Sequence, residues 1–262
     1  MPRTAPLQIH LFEPLRIEVR GRAVLDGDFR RHKAKALFVY LYLRRGRFIS
    51  KYRLLTDLWP NAEQADADRV KHTVQVLRAA LEGQRPADGW HYILEKGGAY
   101  AFNADTDRWS DLEEFERELD LGSAALGQAD DAAALVHYRR AVDVHQGEFL
   151  GEFRYEDWAA DEIALVQEGY LQALEQAAHL EAARHAYQAA ITLLRKAVAE
   201  DPLHESSYLA LMRYLALDGR RTEALRVYHR LQTVLERHLG VEPQVEAVQL
   251  YGAISHPRAA AG

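Results

Sequence analysis

The 262-residue chain contains no cysteine. That excludes a disulfide framework, a cysteine-ligated zinc finger, a thiolate nucleophile and an iron–sulfur cluster, and it fits a cytoplasmic protein. Long apolar runs are missing as well. No stretch reaches the ~18 apolar residues of a membrane span, and the start, Met1-Pro2-Arg3-Thr4-Ala5-Pro6, holds no apolar run of signal-peptide length. No membrane partner is expected. The chain also lacks H-E-x-x-H, G-x-S-x-G, P-loop and G-x-G-x-x-G motifs. Its histidines are scattered. His179 and His185 are six apart and His137 and His145 eight apart, neither a spacing for two metal ligands on adjacent helical turns. No catalytic residue, metal or cofactor is expected, and the chain is not expected to be an enzyme.

What is present is an uneven charge. The chain has 33 Lys+Arg against 39 Asp+Glu, a net of −6. Residues 1–103 hold 18 Lys+Arg and 11 Asp+Glu, a net of +7, and residues 104–262 hold 15 and 28, a net of −13. Basic charge steers a module toward phosphates, while acidic charge repels them. Uneven charge is also common in multi-domain proteins, so it does not decide the partner alone. It does suggest two domains, 1–104 and 105–262.

The first domain changes hydrophobic period along its length. Leu7-Gln8-Ile9-His10-Leu11 and Leu15-Arg16-Ile17-Glu18-Val19 alternate apolar and polar residues, as half-buried strands do, and Ala23-Val24-Leu25 is a third short strand. Ala36, Leu37, Tyr40, Leu41 and Leu43 then recur at helical spacing within residues 32–44, closed by Arg44-Arg45-Gly46. Ser50 caps a second helix from Lys51 to Trp59, and Pro60-Asn61 stops it. A third helix runs from Asp66 or Asp68 to Leu81, with Val70, Val74, Leu77 and Leu81 in one stripe, and Gly83 ends it. Strands at residues 90–94 and 100–102 flank Lys96-Gly97-Gly98, a tight-turn sequence. Three strands, three helices and a hairpin make the winged helix-turn-helix order of OmpR/PhoB-type DNA-binding domains.

A major groove admits one helix whose exposed face reaches base edges and phosphates. On a helical wheel of residues 68–82, Asp68, His72, Gln75, Val76 and Ala79 oppose the apolar stripe, with Arg69 at the edge of that face and Lys71 and Arg78 on its flanks. Arg69, His72 and Gln75 are therefore candidate base contacts, and Lys71 and Arg78 candidate phosphate contacts. Lys51 and Arg53, at the start of the second helix, and Lys96, at the hairpin tip, complete the candidate site. Any one of these charges could equally be a solvated surface residue. Asp66 and Asp68 would repel phosphates, or stabilise the helix start through its dipole.

The second domain reads as helices at 111–126, 131–145, 157–184, 186–200, 204–218, 221–238 and 243–254, with Gly122, Gly127, Gly219, Gly240, Pro202 and Pro243 at ends or gaps. Ala190-Ile191, Leu194 and Ala197 align with Ala224-Leu225, Tyr228 and Leu231 at an offset of 34 residues, and with Ala134-Leu135, Tyr138 and Ala141 at 56 residues upstream. A 34-residue helical period predicts tetratricopeptide-like repeats; an antiparallel bundle is the alternative. Tyr170, Tyr187, Tyr208, Tyr214 and Tyr228 read as packing residues within it.

The whole pattern resembles the Streptomyces antibiotic regulatory protein family, an OmpR/PhoB-type winged helix followed by a bacterial transcriptional activation domain. The first half carries Arg31-His32-Lys33-Ala34-Lys35-Ala36-Leu37, Phe48-Ile49-Ser50, Leu54-Leu55-Thr56-Asp57-Leu58-Trp59-Pro60 and Leu77-Arg78-Ala79-Ala80-Leu81. The second carries Asp201-Pro202-Leu203-His204-Glu205, Leu211-Met212, Gly219-Arg220-Arg221-Thr222-Glu223-Ala224-Leu225 and Leu239-Gly240-Val241-Glu242-Pro243. The resemblance spans about residues 7–255. It implies a mostly α chain with an N-terminal α+β module, acting as a transcriptional activator. It also implies binding to direct repeats in double-stranded DNA through the third helix, and contact with RNA polymerase through the loop after Trp59. A homodimer is a further partner to expect. Lys96-Gly97-Gly98-Ala99-Tyr100 has one small residue more than the usual Gly-Gly-Tyr hairpin, which leaves the wing's turn open. The alternatives are a helical-repeat scaffold or ligand sensor whose winged helix binds protein.

Overall fold

The computed structural model describes residues 5–12, 14–29, 32–62 and 64–256; Met1–Thr4 at the chain start and Arg31 of the quoted motif fall outside them. Packing divides the chain into two compact units. One is Met1–Glu114 with Gln146–Leu165, the other Phe115–His145 with Val166–Gly262.

In the first unit, β1 (Leu7–His10), β2 (Arg16–Val19) and β3 (Arg22–Val24) pair antiparallel. Leu7, Ile9, Ile17 and Val19 are buried, as their alternation requires. A fourth strand, β7 (Arg108–Ser110), lies parallel to β1 and gives the order β3-β2-β1-β7. No hydrophobic period marks β7, because three residues are too few to show one. Distant groups hold this edge instead. The Asp111 carboxylate accepts the backbone N–H of Leu11 at 2.9 Å and of Phe12 at 3.2 Å, and the Tyr42 hydroxyl donates to Ser110 Oγ at 2.6 Å.

A single turn, α1 (Asp26–Phe29), leads to α2 (His32–Leu43), which is buried from Ala34 to Tyr42. Even Lys35 is enclosed there, its ammonium paired with Glu152 at 2.6 Å and Asp26 at 3.0 Å. A two-residue strand, β4 (Ile49–Ser50), precedes α3 (Lys51–Leu58), and Ser50 accepts the Arg53 N–H as an N-cap. After a 3₁₀ turn at Gln64–Ala67 comes α4 (Asp68–Glu82), stopped by Gly83 at φ +73°. Its Val70, Val74, Leu77 and Leu81 are buried.

The hairpin strands are β5 (Ile93–Lys96) and β6 (Ala99–Phe102), and β4 pairs with β6 to give a sheet of order β4-β6-β5. The first strand thus begins later than the sequence suggested, leaving Trp90, His91 and Tyr92 before it. Lys96 pairs with Ala99 across Gly97 and Gly98, whose φ values of +58° and +75° make a two-residue turn that only glycine adopts easily at both positions. The extra Ala99 is simply the first residue of the return strand. Strands, three helices and hairpin together form a winged helix-turn-helix.

Residues 146–165 pack into the same unit. Phe149 bridges Phe12, the Leu150 N–H donates to Leu11 O at 3.0 Å, and Trp158 meets the Tyr40 ring edge-on. Packing therefore groups residues 105–114 and 146–165 with the winged helix, whereas charge divides the sequence near 104.

The second unit is helical: α5 (Asp111–Gly127) from Phe115 onward, α6 (Asp131–Val144), α7 (Asp157–Ala183) from Val166 onward, α8 (Tyr187–Glu200), α9 (Glu205–Leu217), α10 (Arg221–Leu239) and α11 (Val245–Ser255). The aligned repeat positions are alike in burial, apart from Leu225, which is half-buried. Ala134, Leu135, Tyr138 and Ala141 on α6, Ala190, Ile191, Leu194 and Ala197 on α8, and Ala224, Tyr228 and Leu231 on α10 are all buried. Small residues let the helices approach closely. A Cβ on Gly122 would lie 3.0 Å from the Tyr138 ring. Tyr170, Tyr208, Tyr214 and Tyr228 are buried and Tyr187 packs at the edge of the core, as expected of packing residues. The architecture is a tetratricopeptide-like array.

Candidate nucleic-acid interface

The candidate surface is built on α4. With one stripe buried, the helix presents Asp68, Arg69, Lys71, His72, Gln75 and Ala79 to solvent. Asp66, at the helix start, pairs with Arg69 Nε at 3.3 Å, so its carboxylate restrains an arginine of this face as well as facing the helix dipole.

Two other elements are tied beside it. The Lys51 N–H, at the start of α3, donates to Gly98 O in the hairpin turn at 3.1 Å, which joins that helix to the wing. The Lys51 ammonium lies 5.1 Å from the centre of the Tyr52 ring. Arg53 is exposed, with its Nε on Asp57 at 2.7 Å. Lys96 is exposed as the last residue before the turn.

Arg78 departs from the expectation. It is 4% exposed and is no surface phosphate ligand. Its Nε and Nη2 donate to Ile93 O at 3.1 and 2.9 Å, its Nη1 reaches Glu95 at 3.4 Å, and the guanidinium lies by the rings of Trp90 and Tyr100. A planar fork with several donors suits such a strut, since it satisfies a strand carbonyl and stacks on aromatics at once. The wheel placed Arg78 beside the apolar stripe but carried no information about the hairpin that covers it. Arg78 therefore ties the hairpin to α4.

Sequence reasoning also passed over an apolar element of this surface. Phe48 and Tyr52 stay 46% and 51% exposed, flanked by exposed Arg47 and by Lys51. The available signal was that Tyr52 falls outside the Leu54, Leu55 and Leu58 stripe of α3. Beneath Arg53, burial and the neighbouring Asp57 carboxylate push the Tyr40 phenol up, so its hydroxyl remains a donor to Asp57. Among the described residues no cluster of three or more histidines and carboxylates has the geometry to hold a metal ion, and no helix is long and apolar enough to cross a membrane.

The chain resembles known regulators. Residues 110–255 match the family described as the bacterial transcriptional activator domain. Regulatory protein DnrI of Streptomyces peucetius is 27% identical over 255 residues, covering 95% of this chain and 92% of that protein. Regulatory protein AfsR of Streptomyces coelicolor is 29% identical over 243 residues, covering 91% of this chain but only 23% of its own length. The solved structure of Mycobacterium tuberculosis EmbR, in complex with a low-affinity phosphopeptide, superposes with a TM-score of 0.80 at 24% identity, covering 97% of this chain and 66% of that one. That likeness is one of fold. With more than half of its length matched, the chain belongs to the bacterial transcriptional activator domain family and is a transcriptional regulator of the Streptomyces antibiotic regulatory protein type.

Proposed function

We propose that this regulator binds double-stranded DNA sequence-specifically, with α4 in the major groove and the β5–β6 hairpin on the adjacent backbone. One observation carries the reading. α4 is anchored by Val70, Val74, Leu77 and Leu81, while Arg69, His72 and Gln75 stay exposed away from that stripe and Lys71 stays exposed on its flank. In this assignment Arg69, His72 and Gln75 read base edges, and Lys71, Lys51, Arg53 and Lys96 hold phosphates. Arg78 keeps the wing in place. Residues 1–104 would form the DNA-binding domain and 105–262 the activation domain, acting in the cytoplasm on promoter direct repeats and, through the loop after Trp59, on RNA polymerase. Binding as a homodimer would suit paired repeats.

The test is a footprint on genomic DNA at physiological salt. Protection of two repeats on one face of the duplex, in regular register, is the expected result. Protection without sequence preference, or none, would reject the reading in favour of a winged helix that binds protein.

A further inference from the structure

Arg53 is more than a loose cation on a helix end. Its Nε donates to Asp57 Oδ2 at 2.7 Å, and the same oxygen accepts the Tyr40 hydroxyl at 2.5 Å. The Asp57 side chain is 13% exposed and that of Arg53 69%, so a sheltered carboxylate holds an exposed guanidinium. Tyr40 is fixed in turn. The Arg44 guanidinium lies 4.1 Å from the centre of its ring, and Trp158 packs on its edge at 5.7 Å. Arg53 is therefore held by Asp57 of its own helix, and Asp57 is held in turn by Tyr40 of α2.

An acidic side chain beside a phosphate site normally weakens binding by repulsion. Here the carboxylate lies against a cation, accepts a hydroxyl and takes the Nε donor. The exposed part of the guanidinium can meet a phosphate, the anion whose geometry that fork matches. Fixing a flexible side chain before binding also removes much of the ordering cost that it would otherwise carry.

We propose that Asp57 is a positioning residue for DNA: with Tyr40 it sets Arg53 in the orientation that grips a backbone phosphate at the start of α3. The inference rests on the DNA-binding reading above. The experiment is a mutant cycle on the footprinted operator, measuring affinity and its salt dependence for the wild type, Arg53→Ala, Asp57→Asn and the double variant. Loss of one phosphate contact predicts that Arg53→Ala weakens binding about tenfold and lowers the salt slope by about one. Asp57→Asn should weaken binding roughly threefold to tenfold in the wild type and have no further effect once Arg53 is alanine, the non-additivity of coupled neighbours. Tyr40→Phe should give a smaller loss in the same direction. Tighter binding by Asp57→Asn would mean simple repulsion, and equal losses in both backgrounds would mean a general structural role. Either would overturn the proposal while leaving DNA binding intact. A wild type with no sequence preference would instead reject the DNA reading, and the proposal with it.

Discussion

The two units are held together by different physics. The first joins residues far apart in sequence through directed polar ties: Lys35 with Glu152, Asp111 with Leu11 and Phe12, and Arg78 with Ile93. The second relies on apolar positions repeated every few turns, with Tyr208, Leu194 and Ala224 buried and small residues setting the helix spacing. Non-local ties cost more chain entropy to form, but they place side chains from separate elements accurately. A surface assembled from one helix start, one exposed helix face and one hairpin tip needs that accuracy. A repeat array needs only each layer to fit the next.

The four tryptophans, Trp59, Trp90, Trp109 and Trp158, all lie in the first unit, so their fluorescence follows it alone, whereas far-UV circular dichroism follows mainly the helices of the second. Leu194→Ala should have the largest effect, with the cavity left at a fully buried leucine costing about 3 kcal/mol. It should appear in urea unfolding followed by circular dichroism before it appears in fluorescence. Asp111→Ala should do the reverse. It strands the buried N–H groups of Leu11 and Phe12, at a cost of roughly 2–3 kcal/mol in the fluorescence transition. Equal shifts in both signals for both variants would show one cooperative unit and end the contrast.

Acid should separate the units again. His145, stacked on Tyr170 at 3.8 Å, has its pKa lowered from 6.5 to about 4 by burial. The unfolded chain then takes up the proton first, so the stabilisation is complete above pH 6.5 and is lost as pH falls toward 4. The loss should be about 2–3 kcal/mol in the circular dichroism transition, and His145→Gln should flatten it. Arg78→Ala should cost about 2 kcal/mol in the fluorescence transition by leaving Ile93 O without its donors. It should also weaken binding to every DNA sequence.

The smallest changes in stability should come from the surface. Arg69→Ala should cost about 1–2 kcal/mol of discrimination between operator and mismatched DNA, whereas Lys96→Ala should weaken all sequences alike and lower the salt slope by about one. Competition binding at two salt concentrations distinguishes them. Equal, sequence-independent losses from both would remove the division between base-reading helix and phosphate-holding wing.

Much of this was legible in the residues. Periodicity carried α2 to α11 because each has a long enough apolar stripe, and the glycines at 97 and 98 marked the turn because both need positive φ. The β7 strand was hidden by its length and by its dependence on β1. Arg78 was hidden for a related reason: a wheel describes one helix, and the covering hairpin belongs to another part of the chain. The Tyr40–Asp57–Arg53 arrangement needed α2 and α3 side by side before any residue type could suggest it. Sequence patterns report what a segment buries, and contacts between segments decide which exposed charges are held and how.

The strut at Arg78 bears on how the protein would let go of its target. Added electrolyte weakens the exposed cations, yet it hardly reaches a guanidinium enclosed by Trp90, Tyr100 and the Ile93 carbonyl. Concentrated salt would thus loosen the grip while the gripping parts keep their arrangement. Dilution would restore full occupancy at once, with no step of refolding between the released and the engaged protein.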